Sequence, residues 1–165
     1  MILRVREARP EDAAAITRIL NPIIEAGAYT VLDTPFSVEE ERRFIETFPG
    51  RGIFHVAEDP EAALVGFQDV SPFADYTRAF DHVGVIGTFV ELAHRRRGVG
   101  RALFEATFAA ARGKGYEKLF TFIRADNLAA LAAYRGQGFD VIGVARRQAR
   151  LKQGYVDEVL VEAFL

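Results

Sequence analysis

The sequence predicts an α/β protein, a central mixed and twisted sheet flanked by helices. Three observations carry that expectation. Short β-branched and aromatic runs recur along the chain, and beyond Val83 such runs alternate with two stretches of helical periodicity. The composition, 50% hydrophobic and 27% charged over 165 residues, suits a single domain spanning residues 1–165. A chain of this length can bury about two-thirds of its unfolded surface.

Residues 2–5 are compatible with a short strand. Pro10 stands near a helix start, and Ala14, Ile16, Ile19, Leu20 and Ile23 mark the apolar side of a helix running toward Gly27, with Pro22 a point of bending or interruption. Ser37 and Glu40 have capping-box spacing, and Val38, Phe44, Ile45 and Phe48 give a second helix its apolar side before Pro49 and Gly50. Residues 53–57 and 63–70 read as antiparallel strands joined across Asp59 and Pro60. The stretch 71–82, with Phe73, Tyr76 and Phe80, is either a pocket-lining loop or aromatic packing on a sheet edge.

Residues 83–92 form the next strand. From Val99 the period becomes helical through Leu103, Ala106 and Ala110, until Gly113 and Gly115 end the helix. Residues 119–123, 127–134 and 139–145 then read as strand, helix and strand. A polar loop over 148–154 returns a last strand, 155–164, beside its predecessor.

Composition also excludes function classes. Lys+Arg 21 against Asp+Glu 23 leaves a net charge of -2, which gives no support to a nucleic-acid carrier. The absence of cysteine removes thiolate catalysis, disulfides and cysteine-held metals. No secretory or membrane-length apolar run is present, so the expectation is a cytoplasmic protein with no membrane partner. The three histidines lack metal-binding spacing, and none is expected to hold a metal; His55, in an alternating strand, is expected to face solvent.

The sharpest local feature is the run Arg95, Arg96, Arg97, Gly98, Val99, Gly100, Arg101 between a strand and an amphipathic helix. First-turn amides have no intrahelical carbonyl partner, so several N–H groups can converge on phosphate oxygens at the positive end of the helix. Gly98 and Gly100 permit close backbone approach, and the arginines add charge-assisted contacts. A solvated basic face with glycines serving only the turn is the other reading. Neither the P-loop nor the GxGxxG pattern is present.

The turn Arg95-x-x-Gly98-x-Gly100, within the strand–loop–helix order of residues 90–101, resembles that of the GNAT acyltransferases. A second match, Asn127-x-x-Ala130-x-x-x-Tyr134-x-x-x-Gly138-Phe139, agrees with it, and together they cover residues 83–144. Residues 4–30, 37–41 and the ending from Gly154 to Leu160 look similar to the phosphinothricin or methionine sulfoximine acetyltransferase branch. The resemblance implies a GNAT-like acyl-CoA N-acyltransferase fold, with acetyl-CoA as cofactor. Its pantetheine arm would lie along Phe89, Val90 and Leu92, and its diphosphate on the amides and side chains of Arg95, Arg96, Arg97, Gly98, Val99, Gly100 and Arg101. Tyr134 would donate a proton to the departing sulfur, and Asn127 would touch the pantetheine or cap its helix.

The resemblance also implies a small-molecule amine as acceptor, an amino acid or toxic amino-acid analogue among the candidates, met by Tyr29, Thr30, Phe36, Phe73 and Tyr76. A protein N-terminus is the nearest alternative acceptor, a non-enzymatic CoA-binding module the alternative of another class, and a homodimer is left open. An alkylamine of pKa about 10 is neutral in only about one part in 10³ at pH 7, a cost of roughly 4 kcal/mol that a base, a water path or an acceptor of lower pKa would reduce. Related enzymes often carry an acid on the strand before the turn, whereas Val85 and Ile86 occupy that region here. His82 is the candidate base or acceptor contact, by its ordinary pKa.

Overall fold

The computed structural model describes residues 2–61 and 63–165. The elements run β1 (Arg4–Glu7), α1 (Ala13–Glu25), α2 (Val38–Glu46), β2 (Ile53–Asp59), β3 (Ala63–Pro72), β4 (Val83–Val90), α3 (Val99–Gly113), β5 (Lys118–Arg124), α4 (Leu128–Gly136), β6 (Asp140–Leu151) and β7 (Gly154–Phe164). The strands form one sheet in the order β1-β2-β3-β4-β5-β7-β6. Every pairing is antiparallel except β4 with β5, so the sheet is mixed as expected.

Strand alternation sends side chains to two cores. Phe54, Val56 and Phe67 meet Ile16, Ile19, Leu20 and Ile23 of α1 on one face. Ile53, Val70, Ile86 and Leu119 meet Phe104 of α3 and Tyr134 of α4 on the other. Each such buried side chain contributes about 1.5–3 kcal/mol of transfer free energy. α1 runs through Pro22 without interruption: the Ala26 amide still donates to the Pro22 carbonyl at 3.0 Å.

The Ser37 capping box is formed, with the Glu40 amide donating to Ser37 Oγ at 3.1 Å and the Ser37 amide to Glu40 Oε2 at 2.8 Å. The buried side of α2 differs from expectation. Val38 and Phe44 are 39% and 49% exposed, while Glu41 is 5% exposed. His55, expected at the surface, is buried, its Nδ1 2.9 Å from Thr107 Oγ1 of α3. β6 continues to Leu151 and leaves only a tight turn before β7, where a longer polar loop was expected.

The feature that positions the site is where β4 parts from β5. Their register covers Val83↔Lys118, Gly84↔Leu119 and Val85↔Phe120 and then stops. β4 keeps β3 on its other side to Val90, and β5 keeps β7 to Arg124. From Ile86 onward the facing backbone groups of β4 therefore have no strand partner and open on a wedge.

Candidate active site

The wedge leads into a cavity of about 680 Å³ that passes through the sheet. Gly87, Thr88, Phe89 and Val90 of β4 line one wall, residues 121–124 of β5 the other, and His94, Arg95, Arg96 and the start of α3 close one end. The α1–α2 loop adds Tyr29, Thr30 and Val31 on the opposite side.

The arginine–glycine turn has the geometry of an anion cradle. Gly98 caps α3 at φ 84, and Arg96 is also left-handed at φ 62. Such a non-glycine conformation is costly and concentrates at functional sites. The Ala102 amide donates to the Gly98 carbonyl at 3.0 Å, so the preceding first-turn amides of Val99, Gly100 and Arg101 are not consumed by the helix. A Cβ built at Gly98 or Gly100 would meet no heavy atom within 4 Å, leaving open space above these amides. Free N–H groups, a helix N-terminus, and Arg95, Arg96 and Arg101 along the cavity fit a diphosphate, and the unpaired edge of β4 fits an amide-bearing arm.

Two members of the expected cofactor set lie apart from the cleft. The Arg97 side chain borders a separate crevice with Asp59 and Glu61, and Leu92 sits in a 3-10 turn outside the cavity lining. Glu91, which follows the strand, is taken up by Arg18 and His94.

Tyr134 projects from α4 into the cavity wall, 6% exposed, with its ring edge-on to Phe104 and Phe139 at 5.1 and 5.0 Å. Its hydroxyl is 2.8 Å from Thr88 Oγ1, which accepts from Gln68 Nε2 at 2.8 Å. Burial pushes the phenol well above its ordinary range, so it stays protonated and can donate. Asn127 lines the cavity but spends both ends of its amide on the protein. Oδ1 accepts from the Ala130 amide at 3.1 Å as the helix cap, and Nδ2 donates to the Tyr29 carbonyl at 3.1 Å.

The expected acceptor residues divide. Tyr29 and Thr30 line the cavity, held by Arg124, whose Nη1 donates to the carbonyls of Gly27 and Thr30 at 3.0 and 3.2 Å. The Tyr29 ring lies under the Arg95 guanidinium at 4.0 Å. Phe36 is outside the lining, packed on the α1 core and bonded through its backbone to Asn21. Phe73 and Tyr76 are also outside it: both rings pack edge-on against Phe80, and Phe73 reaches Phe120.

His82 is not brought to the cavity. It precedes β4, where its carbonyl accepts from the amides of Glu117 and Lys118 at 2.9 and 3.1 Å, at the end where β4 and β5 are still joined. At about 3.3 Å per residue it stands about 20 Å from Thr88. Sequence reasoning missed three acids: Glu158 on β7, which lines the cavity, Asp69 on β3, which stands in register with the cavity-lining Gly87, and Glu41 on α2, whose charge is felt by Asp69. Burial pushes Asp69 and Glu41 each up to about 7, with the Glu41 charge adding to the effect on Asp69, and burial also raises Glu158.

A family profile described as acetyltransferase (GNAT) family matches residues 17–139. Aminoglycoside N(6')-acetyltransferase type 1 of Stenotrophomonas maltophilia is 32% identical over 139 residues, covering 82% of this chain and 85% of that protein. N-acetyltransferase 8 of Homo sapiens is 32% identical over 90 residues, 54% of this chain, and the match spans only 39% of that longer relative. The fold matches that of a GNAT superfamily phosphinothricin acetyltransferase from Sinorhizobium meliloti solved in complex with AcCoA. The TM-score is 0.91 at 23% identity, covering 100% of this chain and 89% of that one.

Proposed function

The chain belongs to the acetyltransferase (GNAT) family, and on that premise we propose that it transfers an acetyl group from acetyl-CoA to the primary amine of a small metabolite. The observation that carries this reading is the single cavity joining the open amide cradle at Gly98 and Gly100 to the Tyr134 hydroxyl. Bound acetyl-CoA would supply the acyl group as a thioester. The amides of Val99, Gly100 and Arg101 hold its diphosphate, and the free edge of β4 from Gly87 to Val90 aligns its arm. Tyr134, kept protonated by burial and oriented by Thr88, donates to the sulfur as it departs. With no cysteine in the chain, attack by the amine on the thioester is direct.

The small-molecule reading is supported by the walls on the acceptor side. Tyr29 and Thr30 line that side of the cavity, with their carbonyls held by Asn127 and Arg124. The relatives act on unlike amines by their names, an aminoglycoside in one and phosphinothricin in another, so the acceptor is to be found by measurement. The test is release of free CoA against amino acids, their phosphonate and sulfoximine analogues, aminoglycosides, polyamines and short peptides, with mass analysis of the product. Acceptor-dependent release with one acetyl group gained on a small amine is expected. CoA binding without release for any amine would overturn the reading in favour of a binding module, and acetylation confined to peptides would move it to a protein acceptor.

A further inference from the structure

Adjacent residues of β4 point to opposite faces of the sheet, and at the split they meet two different proton-handling groups. Thr88 turns toward α4 and touches the Tyr134 hydroxyl. Gly87 turns toward α1 and α2, where the register sets it opposite Asp69 of β3. A Cβ on Gly87 would meet the two Asp69 carboxylate oxygens at 3.4 and 3.7 Å and the Phe89 ring at 3.6 Å. Gly87 lines the cavity and has no side chain to stand between it and the carboxylate.

We infer that Asp69 is the group that takes the proton from the acceptor's ammonium, so that the preferred acceptors are aliphatic amines that arrive charged. This rests on the proposed acetyl transfer and adds to it the missing base. Asp69 is half-buried, set between Phe54, its register neighbour on β2, and Gly87 of the cavity lining, with the Phe89 ring beside that glycine. Glu41 is the one residue of α2 turned fully inward, and among the described residues neither carboxylate has a hydrogen bond or ion pair. The titratable groups coupled to Asp69 are Glu41 from α2 and the Tyr134 phenol from α4, with no cation among them. The environment pushes the Asp69 carboxyl up to about 7, where a general base works best near neutral pH.

An ammonium N–H bond breaks and its proton goes to an Asp69 carboxylate oxygen. The freed nitrogen lone pair forms the C–N bond at the acyl carbon. The C–S bond breaks with its electron pair on sulfur, which takes the Tyr134 proton from the other face of the sheet, and the second proton that the nitrogen loses as the amide forms returns the Tyr134 phenolate to the phenol. Amine and thiol thus occupy opposite sides of β4. Glu158 also lines the cavity, but it stands across the wedge on β7, in register with Arg124 rather than with Gly87.

The experiment has an activity arm and a titration arm. Asp69→Asn is expected to lower kcat/KM for an alkylamine by about 10²-fold or more, with CoA affinity retained. It should also remove the fall in rate on the acid side of about pH 7, and the defect should shrink for an acceptor amine that is already neutral at that pH. Glu41→Gln should move the acid-side fall to lower pH. In the titration arm, carbon NMR of the free wild-type protein should show one aspartate titrating near pH 7, absent in Asp69→Asn and shifted down in Glu41→Gln. An unaltered rate and pH profile in Asp69→Asn, or loss of the acid-side fall in Glu158→Gln instead, would overturn the assignment. Should Asp69→Asn not fold, the wild-type titration decides alone: an aspartate near 7 that moves in Glu41→Gln supports the assignment, and its absence rejects it. The wild-type CoA-release screen reports separately on whether acetyl transfer occurs at all.

Discussion

Thr88 Oγ1 and the Tyr134 hydroxyl are 2.8 Å apart, and the same Thr88 oxygen accepts from Gln68 Nε2 at 2.8 Å. With Gln68 fully buried, this chain of contacts fixes the phenol from strand to helix. Thr88 can give its own proton to the phenol oxygen, which leaves the Tyr134 proton free to point into the cavity.

Tyr134→Phe keeps the ring against Phe104 and Phe139 and deletes the proton donor. The expected result is a fall in kcat of about 10²-fold, with CoA affinity unchanged by calorimetry, since the loss falls on the leaving group rather than on binding. Thr88→Val removes the orienting contact and leaves buried Gln68 Nε2 without its acceptor, so a loss in kcat of about 10-fold is expected together with a lower Tm. Because burial holds the phenol above its ordinary range, kcat in the wild type should show no alkaline fall from Tyr134 ionisation below about pH 10. Equal kcat for Tyr134→Phe and wild type, with chemistry limiting, would remove the acid role.

Local features of the site were legible in the sequence, and features made by pairing were not. The turn from Arg95 to Arg101 and the helix after it depend on neighbours in the chain; the helix starts at Val99 and the turn borders the cavity, apart from the Arg97 side chain. The base was sought on β4 and at His82, which lies at the joined end of β4 and β5. Asp69 comes beside a cavity-lining residue only because antiparallel register sets it opposite Gly87. A signal for it was present: Gln68 and Asp69 interrupt an otherwise apolar strand, which is expensive unless both have uses. Glu41 is not among the expected apolar positions Val38, Phe44, Ile45 and Phe48, of which Val38 and Phe44 are exposed and Ile45 and Phe48 pack inward. The spacing Glu41, Ile45, Phe48 marks the stripe that turns inward, with an acid in it.

Substitutions at the two turn glycines should separate strain from site occupancy. Gly98 is left-handed, so Gly98→Val should cost about 1–2 kcal/mol of stability by backbone strain and also weaken CoA. Gly100 lies within α3 with open space beyond it, so Gly100→Ala should raise stability by about 0.5–1 kcal/mol. Its methyl group nevertheless enters the space above the free amides, and CoA affinity should drop about 10-fold. Thermal melting and calorimetry on both variants read this, and undiminished CoA binding by Gly100→Ala would place the diphosphate elsewhere.

Arg124 ties the acceptor loop to the sheet. Its side chain is 7% exposed, pairs with Asp126 through two nitrogens at 2.8 and 2.9 Å, and donates to the Gly27 and Thr30 carbonyls. Arg124→Ala leaves those carbonyls unpaired and frees the segment carrying Tyr29. Hydrogen bonds to a charged group are worth about 1.5–3 kcal/mol, so Tm should fall and KM for the acceptor should rise about 10-fold, with little change in KM for acetyl-CoA. Arg124→Lys should rescue poorly, since one ammonium cannot reproduce the planar fork that spans Asp126 and both carbonyls. Equal increases in the two KM values would argue against a role confined to the acceptor side.

The two unpartnered acids also give stability a pH dependence of definite sign. Glu41 and Asp69 each titrate near 7 in the folded chain, against ordinary values of 4.5 and 3.8. Between the unfolded and folded values the native state binds more protons than the unfolded state, so stability falls as pH rises. The contribution is whole below about pH 4 and is lost as pH passes through 7. For Glu41, which is 5% exposed, the shift from 4.5 to about 7 sets an upper bound of about 3 kcal/mol. Glu41→Gln cannot ionise, so it should raise Tm at pH 8 by several degrees over wild type and change it little at pH 5. Melting curves of the two proteins across this range measure the difference. A Glu41→Gln protein that melts below wild type at pH 8 would mean that Glu41 is stabilised as a carboxylate, its charge met by a cation.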